Sequence, residues 1–506
     1  MTVTEPATLR QLITRSDNHP ALVVPESGVS LSYAGLQRAL DRAAGRLAEI
    51  GVSEGDRVAL VAANGPALVL AFVAAAARGA AAAPLNPALS VAELAAELDD
   101  LRVSRLLHDG SAAAAEAATA AAANVAASAF GLRDGLLHVD DAAGTPLQDA
   151  GSPAALALLL HTSGTTSKPK TVPIRQRNLI ASTGAVAQTY GLSGEDVTMC
   201  VMPLFHVHGL VAAVLGTLST GGTVVIPRLR PSVFWDDIAK HGATWYTAVP
   251  TIHSRLLTRA LELPDKPEHR LRFVRSCSAP LPTVLWRQYE EAIGVPLVEA
   301  YGMTEAAHQM ASNPLPPGER RPGTVGRPTG IEIAALDDDW LPVAAGAGAG
   351  AEGEVAVRGP SVVDHYLGNP AATAASFRDG WFRTGDVGKL SADGYLTLVG
   401  RLKELINRAG EKISPYEVED VLLTHPAVAE AAAFPVPDEK YGEQVGVVVV
   451  LRGEATPKEL AAHCADRLAA FKRPARVTIL PEIPKGPTGK IQRRTLADIV
   501  AAAAEK

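Results

Sequence analysis

The chain has 506 residues, of which 47% are hydrophobic and 20% charged, a composition typical of soluble globular proteins. This length exceeds what one hydrophobic core usually supports, so we expect two or more domains. The formal net charge of −7 argues against wholesale binding of nucleic acid. The three cysteines (Cys200, Cys277 and Cys464) are far apart in sequence, which argues against a disulfide scaffold and a CxxC metal site.

The apolar stretches of the chain do not predict a membrane span. Residues 1–17 lack the apolar core of a secretory signal. Residues 66–77 are too short to cross a bilayer, and residues 210–226 are interrupted by glycines and threonines. We therefore expect a cytoplasmic protein with no membrane partner.

Short apolar runs alternate with longer helix-like segments over the first 400 residues. Residues 57–62 predict a strand, and two helices are predicted after it at 66–77 and 91–101. Further strands are predicted at 155–160, 224–227, 245–249 and 273–277. Such alternation is typical of an α/β protein with layers around a largely parallel sheet.

A loop rich in hydroxyls and glycine follows the predicted strand at 155–160. It contains Thr162, Ser163, Gly164, Thr165 and Thr166, and it ends at Lys170. Hydroxyls and glycine amides can surround phosphate oxygens, and lysine adds positive charge. The Walker A spacing is missing. The loop predicts a nucleoside triphosphate site, and the alternative is a solvated Ser/Thr turn.

Tyr301, Thr304 and Glu305 form a second cluster after an apolar run at 296–298. A tyrosine can stack on a base, and a threonine hydroxyl can reach a phosphate. A glutamate here can hold Mg²⁺, which prefers oxygen ligands and keeps substrate phosphates in its coordination shell. The alternative is a turn at a strand end with a glutamate on the surface.

Two later segments place single charged side chains after turns. Asp386 follows a glycine turn in 381–386, where a carboxylate can accept hydrogen bonds from ribose hydroxyls. Lys490 follows a rigid turn in 484–490, and such a lysine is otherwise solvated.

A domain boundary is predicted at 401–403, between a domain at 1–400 and another at 404–506. The second part shows its own alternation of helices at 418–423 and 457–471 with strands at 428–434 and 445–451. About 100 residues suffice for a small independent domain.

Together these segments resemble the adenylate-forming superfamily of acyl-CoA synthetases, firefly luciferases and nonribosomal peptide adenylation domains. Six segments occur in the order of that superfamily: 162–170, 203–206, 301–305, 384–386, 401–413 and 484–490. The resemblance implies a large N-terminal adenylate-forming domain with layered α/β sheets. It also implies a small, mobile C-terminal α+β domain, with a hinge at Lys403.

The resemblance further implies a two-step reaction that uses ATP, Mg²⁺ and coenzyme A. A carboxylate attacks the α-phosphate of ATP to give acyl-AMP and pyrophosphate, and CoA then displaces AMP to give a thioester. Lys490 would bridge the carboxylate and the α-phosphate, and Glu305 would hold Mg²⁺. The other implied contacts are Thr162–Thr166 and Lys170 with the β,γ-phosphates, Tyr301 with adenine, Thr304 with the α-phosphate, Asp386 and Arg401 with ribose, and Gly410 with the pantetheine arm.

Longer sequence strings resemble the oxalate–CoA ligases of plants and fungi. They are 203–210, 243–253, 275–279, 303–308, 312–316 and 403–408. By this resemblance His206, Ser276, Ser278 and His308 converge on the acid pocket. A fatty-acid pocket would be apolar, because unpaired buried polar groups are costly, so this set favours a second carboxylate on a very short acid.

Several alternatives remain open at the level of sequence. His206 could instead gate the thiol channel while the serines satisfy backbone groups, and His208 and His253 are expected to be structural. The substrate could be another small, aliphatic or aromatic acid, or the chain could load a carrier protein or be a nucleotide-binding pseudoenzyme. Thr171 and Ala409 stand where relatives have glycine, and Thr171 predicts slower turnover.

Overall fold

The computed structural model describes residues 8–121, 125–129, 132–133, 136–137, 151–162, 169–343, 351–486 and 491–504. Within these residues, helices of a length and apolarity sufficient to cross a membrane are not found.

The largest sheet has nine strands and is parallel through its centre. In spatial order its strands are Arg327–Pro328, His308–Ser312, Leu297–Met303, Phe273–Ser276, Trp245–Ala248, Val197–Cys200, Thr223–Val225, Pro20–Val24 and Val29–Ser32. The two strands Phe273–Ser276 and Trp245–Ala248 are buried at every residue, as expected for parallel strands covered on both faces. Their carboxyl ends point to the same edge, where α/β proteins place ligands.

A second sheet of six strands packs near the first. Its order is Thr171–Arg175, Leu156–His161, Ala81–Leu85, Arg57–Val61, Arg105–His108 and Ala126–Ala129. The helix Pro66–Ala77 is apolar on all sides and buried at all of its residues. Such a helix must be covered on every face, and it belongs to one hydrophobic core together with residues of both sheets.

The remaining sheets follow in the second half of the chain, apart from one short ribbon. An antiparallel sheet contains Glu332–Leu336, Ala351–Arg358, Trp381–Leu390, Phe377–Arg378 and Leu396–Arg401. The C-terminal sheet contains Glu411–Ile413, Ile406–Arg408, Gly442–Leu451, Val428–Asp438 and Arg476–Ile479. Leu132–Arg133 and Leu136–Leu137 form the separate two-stranded ribbon.

Helices cover the faces of these sheets. The α-helices are Leu9–Leu12, Tyr33–Glu49, Pro66–Ala77, Val91–Leu101, Ala112–Ala120, Gln176–Tyr190, Gly216–Leu218, Phe234–His241, Pro250–Leu261, Thr283–Ile293, Pro370–Ser376, Pro415–Leu423, Pro457–Ala465 and Arg493–Ala504. A π-helix spans His208–Leu215, and short 3₁₀ turns span Thr304–Ala306 and Ala470–Lys472.

The predicted fold class is confirmed, because layered α/β sheets form a large first part that is followed by a smaller C-terminal part. The helix predicted at 457–471 ends at Ala465, since the chain turns there and carries Leu468 into the C-terminal core. The predicted boundary falls between the strands Leu396–Arg401 and Ile406–Arg408 and stays a prediction.

Candidate active site

A cleft of about 1010 Å³ lies between the large N-terminal sheets and the C-terminal sheet. Loops at the carboxyl edge of the nine-stranded sheet supply one wall, and the helix Pro415–Leu423 with the segment near 485 supplies the other. The lining includes Phe205, His206, Ser278, Tyr301, Asp386, Tyr416, Asp420 and Lys485. A ligand in this cleft would therefore touch both parts of the chain.

The base of the predicted phosphate loop is closed by Thr162 and Lys170. The Thr162 amide donates to the Lys170 carbonyl at 3.0 Å, and the Lys170 amide donates to Thr162 Oγ1 at 3.3 Å. These paired bonds fix where the loop leaves and rejoins the sheet. The other predicted phosphate-binding residues lie outside the described residues: Ser163, Gly164, Thr165 and Thr166.

The Lys170 ammonium points toward the second predicted cluster. Its Nζ lies 4.4 Å from the centroid of the Tyr366 ring, a cation–π contact. Burial lowers the pKa of Lys170, the carboxylate of Glu305 opposes that effect, and the charge of Lys403 adds to it. Lys170 and Glu305, the candidate metal ligand, thus contact the same side chain, that of Tyr366.

A histidine and two carboxylates form a hydrogen-bonded network next to Thr162 and Lys170. His161 Nε2 lies 2.8 Å from Asp100 and 3.0 Å from Thr171 Oγ1, and Nδ1 contacts Glu97. Both acids belong to the helix Val91–Leu101, three positions apart and so on one face. Burial lowers the pKa of His161, but Glu97 and Asp100 outweigh it and the net shift is upward. The Thr171 hydroxyl belongs to this network.

Glu305 lies in the 3₁₀ turn Thr304–Ala306 and is buried, which excludes the alternative of a surface glutamate. Tyr366 donates its hydroxyl to Glu305 Oε1 at 2.8 Å. Burial raises the pKa of Glu305, and the bond from Tyr366 opposes that rise. Thr304 is half-buried at the start of the same turn.

The described residues fit a magnesium ion held mostly by a substrate. They contain no cluster of three or more His, Cys, Asp or Glu side chains able to hold a metal by itself. Mg²⁺ in phosphate-transfer sites is commonly held by one or two carboxylates, with phosphate oxygens and water completing its shell. Glu305, on the same side as Lys170, offers one such carboxylate.

Tyr301, Asp386 and Arg401 form a connected set. Tyr301 donates its hydroxyl to Asp386, and Arg401 Nε lies 3.1 Å from Asp386 Oδ1. Burial raises the pKa of Tyr301 well above its usual value, and the charge of Asp386 adds to this. The prediction that Asp386 follows a turn is wrong, because this residue lies inside the strand Trp381–Leu390. Gly385 has a φ of +76° and bends that strand without ending it.

The four predicted acid-pocket residues divide into two pairs. His206 and Ser278 line the cleft, and the His206 ring lies 4.6 Å from that of Phe205. Ser276 and His308 are buried behind this wall, 0% and 2% exposed. Ser276 Oγ and His308 Nε2 have no hydrogen-bond partner among the described residues. Buried polar atoms are nearly always satisfied, so these two are candidates for satisfaction by a ligand or water.

The backbone around this pocket is strained. Ser278, Ala307 and His308 have φ values of +74°, +52° and +133°, a region that side chains other than glycine rarely adopt. A Cβ on Gly302 would lie 2.0 Å from the His308 carbonyl oxygen, so only glycine allows the close approach of these two strands. Such strain concentrates at functional sites.

Sequence reasoning missed two residues of this region. His208 was expected to be structural. Its Nδ1 lies within hydrogen-bond distance of Ser278 Oγ, at 3.0 Å, and its ring stacks on that of His308 with centroids 5.3 Å apart. Arg275 is fully buried, and its Nη1 lies 3.1 Å from Thr247 Oγ1. The presence of an arginine in an otherwise apolar buried strand was the available signal.

The C-terminal candidates lie apart from the acid pocket. Lys403 is exposed in the turn after Arg401, and Gly410 occupies an exposed hairpin with a φ of +94°. The Gly410 amide donates to Asn407 Oδ1 at 3.0 Å, and Gly410 is not part of the cleft wall. Lys490 lies outside the described residues.

Comparison with known proteins gives two family matches that together span most of the chain. Residues 9–367 match the AMP-binding enzyme family, and residues 417–490 match the AMP-binding enzyme C-terminal domain. The chain is 45% identical to the probable CoA ligase CCL9 of Humulus lupulus over 96% of this chain and 94% of that protein. It is 45% identical to the oxalate–CoA ligase of Arabidopsis thaliana over 92% of this chain and 93% of that protein.

A solved structure extends the similarity to three dimensions. ATP-bound MatB from Rhodopseudomonas palustris superposes with a TM-score of 0.87 at 30% identity, covering 97% of this chain and 99% of that chain.

Proposed function

The chain belongs to the AMP-binding enzyme family, and from that membership we propose that it is an ATP-dependent, AMP-forming oxalate–CoA ligase. We choose oxalate as the acid because the acid pocket is polar and because the chain is 45% identical to an oxalate–CoA ligase. His206 and Ser278 on the cleft wall, with Ser276 and His308 behind them, offer hydrogen-bonding groups where a fatty-acid pocket would be apolar.

In the first half-reaction a carboxylate oxygen of oxalate attacks the α-phosphorus of ATP, and pyrophosphate leaves. Two anions must meet for this step, so positive charge and hydrogen-bond donors are needed at the reacting atoms. Thr162, Lys170 and the loop between them hold the β,γ-phosphates. Lys490 bridges the incoming carboxylate and the α-phosphate.

The nucleoside is held by the connected set described above. Asp386 accepts hydrogen bonds from ribose hydroxyls, and Arg401 orients that carboxylate. Tyr301 flanks the adenine with its ring while its hydroxyl remains on Asp386. Thr304 contacts the α-phosphate.

Magnesium, when bound, neutralises phosphate charge. Glu305 is the residue that would hold it, and Tyr366 orients the carboxylate of Glu305. Lys170, adjacent to Glu305, supplies a second positive charge at the same phosphates.

In the second half-reaction the CoA sulfur attacks the acyl carbon, and AMP leaves with the bridging oxygen. The C-terminal part rotates about Lys403 between the two steps, which withdraws Lys490 and brings Gly410 to the pantetheine arm. The C-terminal part would thus present a different surface to the active site in each half-reaction, so that its motion controls which step can occur.

The test is to follow the two half-reactions separately. With Mg-ATP and oxalate but no CoA, we expect oxalate-dependent exchange of labelled pyrophosphate into ATP. Addition of CoA should then give AMP and oxalyl-CoA in equal amounts. Formation of ADP and phosphate, or the absence of exchange with oxalate, would contradict the proposal.

A further inference from the structure

Arg275 is a fully buried cation whose hydrogen-bond partners are all neutral. Its Nε donates to the Tyr190 hydroxyl at 2.8 Å, Nη1 to Thr247 Oγ1 at 3.1 Å, and Nη2 to Gln309 Oε1 at 3.1 Å. Nη1 also lies 3.5 Å from Nε2 of His208. In the part of the chain that the structure describes, no Asp or Glu side chain forms an ion pair with it.

An unneutralised guanidinium at this depth needs an explanation. Removing a charge from water is energetically unfavourable, and hydrogen bonds to neutral groups recover only part of that cost. Another buried arginine of this chain meets a carboxylate. Arg493, which is 9% exposed, contacts the carboxylate of Glu419. Arg275 therefore leaves positive potential in the interior behind the acid pocket.

A chain of hydrogen bonds connects Arg275 to Ser278 on the cleft wall. Arg275 Nη1 can only donate, so Thr247 Oγ1 accepts from it and turns its own proton toward His208 Nε2, 2.6 Å away. With Nε2 accepting, His208 carries its proton on Nδ1 and donates it to Ser278 Oγ at 3.0 Å. The Ser278 hydroxyl is then free to donate into the cleft that it lines.

The two histidines of the cluster do not supply a charge of their own. Burial lowers the pKa of His208 and of His308 well below the usual value, and the charge of Arg275 acts in the same direction. Both rings are therefore neutral near pH 7. Arg275 is the cation of this cluster among the described residues.

We propose that Arg275 sets the preference for an acid with a second negative group, acting through Thr247 and His208 to make Ser278 a donor to that group. Arg275 is a positioning residue here, because it lies behind the wall and does not itself line the cleft. This inference rests on the proposed function, since it concerns the acid that the cleft accepts.

The experiment compares oxalate with oxamate, its monoamide, which has the same shape and one negative charge fewer. CoA-dependent AMP release is measured with each acid for wild type, Arg275→Met, Arg275→Lys and Thr247→Val. We expect Arg275→Met to lower the ratio of kcat/KM for oxalate to that for oxamate at least tenfold, mainly through KM for oxalate. Arg275→Lys should restore part of the ratio, and Thr247→Val should lower it severalfold.

The matched control is Arg272→Met. Arg272 directly precedes the strand Phe273–Ser276, at the amino end of that strand. Its guanidinium lies 2.9 Å from the carboxylate of Asp196, which neutralises its charge. Its removal should leave the oxalate-to-oxamate ratio unchanged. If Arg275→Met does not fold, Thr247→Val decides the question, because this nearly isosteric change removes the short link between Arg275 and His208 and leaves only their direct 3.5 Å contact.

The outcomes separate this inference from the proposed function. An unchanged ratio in folded Arg275→Met or in Thr247→Val, with wild type preferring oxalate, overturns the inference and leaves the function intact. A wild type that prefers malonate overturns the choice of oxalate, and the inference is then tested with malonate and its monoamide. A wild type that uses only monocarboxylic acids overturns both.

Discussion

Tyr301 donates its hydroxyl to Asp386, the same carboxylate that Arg401 binds at 3.1 Å. This contact joins the strand Leu297–Met303 of the nine-stranded sheet to the strand Trp381–Leu390 of the antiparallel sheet. Asp386 is buried, and it reaches the cleft between a phenol and a guanidinium that both stabilise its charge.

Asp386→Asn tests the role of this carboxylate in holding ATP. The amide keeps the size of the side chain but removes the charge, and hydrogen bonds to charged groups contribute about 1.5–3 kcal/mol. We expect kcat/KM for ATP to fall roughly ten- to hundredfold in a pyrophosphate-release assay. Asp393→Asn is the control, because Asp393 is exposed in the neighbouring hairpin turn and pairs with Arg321. Equal losses in the two variants would refute a specific role for Asp386.

Glu305→Gln tests the candidate magnesium ligand. The uncharged amide is a poor ligand for Mg²⁺, so we expect the concentration of Mg²⁺ that gives half-maximal adenylation to rise about tenfold or more. Tyr366→Phe removes the hydrogen bond to Glu305 and should raise this Mg²⁺ concentration severalfold. A drop in maximal rate with no change in the Mg²⁺ requirement would show that Glu305 acts in another way.

Glu299→Gln tests a pH dependence of stability. Glu299 is 4% exposed, and burial raises its pKa from 4.5 to about 8, with the charge of Asp420 adding to the rise and the Leu281 amide opposing it. The folded protein thus binds a proton that the unfolded chain releases. The free energy of unfolding should therefore fall as pH rises from about 4.5 to about 8, by at most about 1.4 kcal/mol per pH unit.

Urea unfolding at pH 5.5 and pH 8 checks this prediction. Glu299→Gln should flatten the decline and leave the variant more stable than wild type at pH 8, since its amide oxygen can still accept from the Leu281 amide. Glu291→Gln, an exposed change on the nearby helix end, should preserve the wild-type decline. A Glu299→Gln profile parallel to that of wild type would contradict the argument.

Ala409→Gly tests the backbone strain at a residue with a left-handed conformation. Ala409 has a φ of +54°, where a Cβ costs about 1–2 kcal/mol. Glycine removes that cost but gains freedom in the unfolded chain, so we expect a net stabilisation of roughly 0.5–1 kcal/mol. Ala461→Gly, within the helix Pro457–Ala465, should instead destabilise by about 1 kcal/mol. Loss of stability in Ala409→Gly would show that the strain is not relieved.

Lys490→Ala tests the separation of the two half-reactions. The lysine neutralises charge only while the acid meets ATP, so its removal should abolish adenylation. Thioester formation from supplied oxalyl-AMP and CoA should remain largely intact. Equal loss of both half-reactions would count against the assigned role.

The sequence predicted the parts of the fold that local patterns determine. The helices at 66–77 and 91–101 match the structure at both ends. Their starts are well determined because one begins at a proline and the other has a capping box at Ser90. Asp386 was misplaced because Gly385 reads as a turn, whereas pairing with Ala351–Arg358 and Leu396–Arg401 holds the strand together across it.

The candidate site was only partly predictable for a related reason. Motifs name residues that face a ligand, such as Ser278, but they do not name the second layer that orients them. Arg275 and His208 act through contacts between residues 28 to 70 positions apart in sequence, and such contacts exist only in the folded chain.

The most direct test of the central claim is kcat/KM from CoA-dependent AMP release with Mg-ATP across oxalate, malonate, acetate, octanoate and coumarate. We expect strong preference for oxalate, with the apolar acids octanoate and coumarate poorest because they would bury the polar groups of the pocket without partners. Preference for octanoate or coumarate would keep the two-step chemistry but contradict the assignment of His206, Ser276, Ser278 and His308 to a second carboxylate.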